Sequence, residues 1–123
     1  MVIDHELIDA GLLPDESATT AVTLAELAAG PHAAESNDER VRRHDRLQWA
    51  TATWDPLPFY AESARMYGRM FTVARAAGRS SRARSAVVDL LIASTAAANG
   101  MSLYTRNAPD PSALKHIVPI VKV

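Results

Sequence analysis

The sequence predicts an α/β fold with a mainly parallel sheet covered by helices on both faces. Three observations carry that expectation. Compact β-branched or apolar runs alternate with segments of helical period, the pattern of successive β and α units. The segment from Val87 to Asn99 is apolar almost all round, as a buried helix is. The chain also closes on "HIVPIVKV", an apolar run whose Pro119 suits an edge strand.

The elements follow in order. "VIDHELIDAGLLP" predicts a short helix ended by Gly11, with Pro14 soon after. "SATTAVT" is compact and β-branched and predicts a strand. "TLAELAAGP" predicts a helix stopped by Gly30 and Pro31, with Thr23 and Glu26 as a capping box. Ser36 and Glu39 form a second capping box, opening a helix to about Thr53 with Val41, Leu47 and Ala50 inward. "DPLPF" reads as a short strand or extended link. Tyr60 to Ala77 is helical, with Ala64, Tyr67, Gly68, Phe71 and Ala74 on one stripe and Gly78 as the C-cap. Gly100 ends the buried helix, "MSLYT" is a strand, and "RNAPDPS" is a loop.

The chain of 123 residues is read as one domain, 1–123, large enough for a single core. It contains no cysteine, which excludes disulfides, zinc–thiolate sites and thiol nucleophiles. No apolar run reaches the roughly 18–20 residues that a membrane span needs. The start of the chain lacks the charge and apolar pattern of a signal peptide, so the expected compartment is the cytoplasm. No phosphate-binding glycine loop, nucleophile elbow or histidine ligand spacing is present. The four histidines, His5, His32, His44 and His116, read as surface or loop residues. Trp49, Trp54 and Phe59 read as packing the core or an interface.

The net charge of −1 conceals an asymmetry. Residues 1–62 hold twelve acids and four arginines, a balance of −8; residues 63–123 hold nine bases and two acids, a balance of +7. Those two acids are Asp89 and Asp110, which flank one helix–strand unit. A basic half whose only carboxylates flank one helix–strand unit reads as a phosphate-binding surface around an acidic centre. Arg82 and Arg84, just ahead of Asp89, are the better candidates for phosphate contact. Arg65, Arg69, Arg75 and Arg79 serve equally well as a solvated helix face.

Chemistry in parallel sheets gathers at the carboxyl ends of the strands. Asp110 follows one such end, while Asp89 and Glu26 sit near the starts of helices. Carboxylates grouped there could hold Mg²⁺ or Mn²⁺, hard ions that take oxygen ligands and activate water toward a phosphodiester. Each also has a plainer reading: Glu26 as a capping-box partner, Asp89 as a complement to the helix dipole, Asp110 and Asn107 as turn residues.

"AVTLAELAAG" and "RARSAVVDLLIASTAAANGMSLYTRNAPD", with the closing apolar strand, resemble the PIN-domain toxins of bacterial VapBC toxin–antitoxin pairs, notably the actinobacterial ones. The resemblance covers essentially the whole chain. It implies a three-layer α/β/α sandwich and a Mg²⁺- or Mn²⁺-dependent endoribonuclease. It also implies a homodimer and a VapB-type antitoxin that occludes the site. By position it makes Glu26, Asp89 and Asp110 metal-site acids, Asn107 a supporting polar residue, and Thr105 the threonine that precedes it. Arg82, Arg84 and Arg106 are then the expected RNA contacts. Two departures stand out. Pro111 replaces an aromatic after the last aspartate, and His5 and Glu6 follow Asp4 where the family has threonine and serine. The expectation is therefore a chain lacking the opening strand and its aspartate, unless Asp4 serves in that role. The corresponding alternative function is an inactive module that binds antitoxin or RNA without cutting.

Overall fold

The computed structural model describes residues 2–3, 18–76, 84–105 and 120–122, with side chains over 18–76 and 87–103. Its elements are β1 (Val2–Ile3), α1 (Ala21–Ala29), α2 (Asn37–Thr53), α3 (Ala61–Ala76), α4 (Arg84–Ala98), β2 (Leu103–Thr105) and β3 (Ile120–Lys122). A 3₁₀ turn, Gly30–Ala33, with Pro31 buried in it, joins α1 to the approach to α2. The three strands are parallel in the order β1-β2-β3, with Leu103 paired to Val2 on one side and Ile120 on the other.

The opening strand is thus a correction to the expectation that it is missing. Val2 and Ile3 are apolar and β-branched, and a partner strand supplies the ladder that two residues alone could not sustain. Asp4, and the helix expected through residue 13, lie outside the described residues.

The core forms where α3 and α4 pack together. Met70 and Ala74 of α3 meet Leu90, Ile92, Ala93 and Ala96 of α4, with Leu103 of β2 completing the cluster. Alanines at the crossing let the two helix backbones approach closely. The large side chains Met70, Leu90, Ile92 and Leu103 are each worth about 1.5–3 kcal/mol of apolar burial. The expected burial of α4 holds. Its end is a Schellman cap: Met101 N–H donates to Ala96 O (2.9 Å), Gly100 N–H to Ala97 O (3.1 Å), and Gly100 has φ +65°.

On α3 the buried stripe runs through Ser63, Met70 and Ala74, with Tyr67 and Val73 partly covered. The predicted stripe is right at Ala74 and partly right at Tyr67 and Phe71, whereas Ala64 and Gly68 face solvent. The face is rotated because the long Met70 fills the crossing better than Gly68.

Helix α2 starts at the predicted cap, with Ser36 Oγ accepting from Glu39 N–H (3.1 Å), while the Glu39 carboxylate, the other half of the predicted box, pairs with Arg43. Ala50 is buried and Leu47 half-buried, but Val41 is exposed. Seven charged residues, from Asp38 to Arg46, surround Val41 and keep this first half of the helix in solvent. One of its ion pairs, Arg43 with Glu39, lies beside a bond from Arg43 to the carbonyl of Gly30 (2.8 Å). Trp49 stacks edge-on against Trp54 at 5.0 Å, but Trp49 and Phe59 stay exposed and do not enter the core. His32 and His44 are exposed, as expected.

Candidate metal centre

The first site element is α1, and its start differs from the sequence expectation. The described residues of "SATTAVT" form no strand: Ala18 and Thr20 are isolated bridge residues, Thr20 bridging in parallel to Leu57, and helix begins at Ala21. Two bonds define that bridge, Ala21 N–H to Leu57 O (2.8 Å) and Leu57 N–H to Thr19 O (2.9 Å). Thr20 is the N-cap, its hydroxyl accepting from Thr23 N–H (2.9 Å). Thr23 is therefore the third residue of the helix rather than its cap, and the predicted Thr23–Glu26 capping box does not exist. Propensity favoured a strand for this threonine-rich run, but a hydroxyl at the N-cap outweighs it.

Glu26 is consequently the sixth residue of α1, and Asp89 is likewise the sixth of α4. Neither helix has an acidic residue in its first turn. Both carboxylates thus stand beyond the N-terminal N–H groups that a cap serves, and beyond the first turn where the dipole acts. This removes the capping-box reading of Glu26 and weakens the dipole reading of Asp89.

Both side chains are half-buried. Glu26 is followed by buried Leu27 and stands one turn after buried Thr23. Asp89 lies between Val88, which packs on the core, and buried Leu90. Helices α1 and α4 pack against each other. Withdrawing a carboxylate from water beside apolar neighbours is unfavourable unless a partner compensates. Both Glu26 and Asp89 have interactions with neighbouring groups.

The other predicted residues are placed less fully. Asp110, Asn107, Arg82 and Arg106 lie outside the described residues, and Arg84 is described only as backbone at the start of α4. Thr105 is the last residue of β2. Among the described residues no group of three histidine, cysteine, aspartate or glutamate side chains is arranged to hold a metal. The donors available are nevertheless all carboxylate oxygens, which suit Mg²⁺ or Mn²⁺ and not a thiophilic ion. A site built on Glu26 and Asp89 needs at least one further ligand.

Sequence reasoning missed the buried hydroxyls of Thr20 and Thr23, which lie 2.9 Å apart. The signal was available: two threonines immediately before a helical period are as good an N-cap as a strand.

Comparison with known proteins agrees with this architecture. The PIN domain family model matches residues 3–108. The chain is 37% identical over 100 residues to Ribonuclease VapC5 of Mycobacterium tuberculosis, covering 81% of this chain and 70% of that one. It superposes on the crystal structure of VapBC-5 from Mycobacterium tuberculosis, a member of the VapBC family of toxin-antitoxin systems. The TM-score there is 0.82 at 35% identity, over 99% of this chain and 97% of the other. FitAcB from Neisseria gonorrhoeae shares the fold at TM-score 0.68 and 23% identity, over 91% and 78% of the two chains. No helix among the described residues is long and apolar enough to cross a membrane. The chain belongs to the PIN-domain family and is of the VapC type.

Proposed function

We propose that the chain is a VapC-type toxin endoribonuclease that hydrolyses RNA phosphodiester bonds and is neutralised by a VapB-type antitoxin. The observation that carries the reading is the like placement of Glu26 and Asp89 on two helices that pack together. Both are half-buried, both stand in the second turn of their helix, and the two helices pack together. Such positions lie beyond the cap and the first turn, and carboxylates held there suit a divalent cation.

Glu26, Asp89 and Asp110 would hold Mg²⁺ or Mn²⁺, with Asn107 as a polar support. Such an ion supplies Lewis-acid activation of water and offsets charge developing on the phosphodiester. Arg82, Arg84 and Arg106 bind phosphates and bring the backbone of a single strand to the carboxylates. The fold is a three-layer α/β/α sandwich, and the working form is a cytoplasmic homodimer. The alternative, an inactive module that only binds antitoxin or RNA, requires the opening strand and its aspartate to be lost. Val2–Ile3 is a strand, and Asp4 follows it directly in sequence, so the active reading is preferred.

Incubation of the purified chain with single-stranded RNA tests this reading. Cleavage appears with Mg²⁺ or Mn²⁺ and stops when a chelator removes the ion. No cleavage with either ion, by protein that still binds RNA, would establish the inactive module instead.

A further inference from the structure

We propose that Thr20 is a positioning residue for Glu26, an inference that rests on the reading of Glu26 as a metal ligand. Thr20 is fully buried, and Thr23 nearly so. Such burial is unusual for an N-cap, because capping hydroxyls ordinarily stay in contact with water. The Thr20 hydroxyl meets both the N–H and the hydroxyl of Thr23, each at 2.9 Å. On either side of it the backbone is bonded to Leu57, whose side chain packs against the α3–α4 core.

The start of α1 is therefore held at three points within five residues, Thr19 to Thr23: the Leu57 bridge, the cap and the hydroxyl pair. Glu26 stands one turn beyond Thr23, and in an α-helix residues three apart share a face. The anchor that fixes Thr23 thus fixes the rotation and height of Glu26 about the α1 axis. A valine at position 20 keeps the volume but leaves the Thr23 N–H and hydroxyl without their buried partner. The first turn must then shift to find another, and Glu26 shifts with it.

Mn²⁺ titration of the purified chain, followed by electron paramagnetic resonance, reads this directly and independently of catalysis. Thr20→Val is expected to weaken Mn²⁺ binding by roughly tenfold, the lower end of what partners of metal ligands contribute. Thr20→Ser, which retains the hydroxyl, is expected to bind nearly as the parent does. Thr23→Val, which keeps the cap but breaks the hydroxyl pair, serves if Thr20→Val does not fold, and weakens binding in the same direction. In a Glu26→Gln background the effect of either valine disappears, because the ligand it positions is gone.

Three results overturn the proposal. If Thr20→Val, or Thr23→Val in its place, leaves Mn²⁺ affinity intact while Glu26→Gln reduces it, the anchor is structural only. If the valine weakens binding equally with and without Glu26, it acts through the fold as a whole. If Glu26→Gln itself leaves affinity unchanged, the underlying reading of Glu26 fails and the positioning role fails with it.

Discussion

The hydroxyl of Ser94 on α4 lies 3.5 Å from the sulfur of Met70 on α3, and both residues are fully buried. Ser94 donates to the carbonyl of Leu90 within its own helix, so its polarity is satisfied locally. The surface it shows to α3 is small, and the flexible Met70 fills the space above it. This crossing holds α4, and with it Asp89, against the rest of the core.

Shortening Met70 is therefore expected to be severe. Met70→Ala should lower the unfolding free energy by about 2–5 kcal/mol, the cost of lost burial plus a cavity that cannot fully collapse. Urea denaturation followed by circular dichroism measures it. A loss within about 0.5 kcal/mol, the range of ordinary surface substitutions, would mean that the α3–α4 crossing is not the centre of the core.

Gly100 gives a different kind of dependence. Nothing lies within 4 Å of a Cβ placed there, so space is not the constraint. Its φ of +65° is. Gly100→Ala should cost about 1–2 kcal/mol through the left-handed backbone alone. Gly68, with equally open surroundings but inside α3, should respond oppositely, since alanine is the better helix former by about 1 kcal/mol. Thermal melts of the two variants should move in opposite directions; equal losses would contradict the assigned cap.

The basic second half of the chain should govern RNA affinity through phosphate contacts. Replacing Arg82 and Arg84 by alanine should weaken binding and flatten its salt dependence, by a log–log slope of roughly 0.7 per lost contact on single strands. Fluorescence anisotropy at several salt concentrations measures that slope. An unchanged slope would make these arginines solvated surface, or contacts for a protein partner.

Much of this architecture was legible in the sequence, and the failures have physical causes. Gly100, the capping pair Ser36 and Glu39, and the apolar run of α4 each carry a local signal that the structure repeats. The start of α1 is not legible, because threonine favours both strands and N-caps, and the bridge to Leu57, distant in sequence, fixes the outcome. The strand Val2–Ile3 is not legible either, because two residues carry no period; their pairing with Leu103 and Tyr104 is a tertiary fact. Glu26 and Asp89 were singled out by charge and resemblance. Their shared second-turn position emerged only once the helix starts were fixed. Asp110, Asn107 and Arg106 remain expectations of the sequence.

In the proposed function Asp89 holds a metal used to cut RNA, and one substitution decides it. Asp89→Asn preserves the size of the side chain and removes a charged ligand. The stability of the fold should change little or even rise, because carboxylates gathered without a metal repel one another. Cleavage of single-stranded RNA by the purified variant, with Mg²⁺ present and folding verified by circular dichroism, is the measurement. Cleavage is expected to be lost while the fold is retained. Cleavage at the parent rate by Asp89→Asn would contradict it.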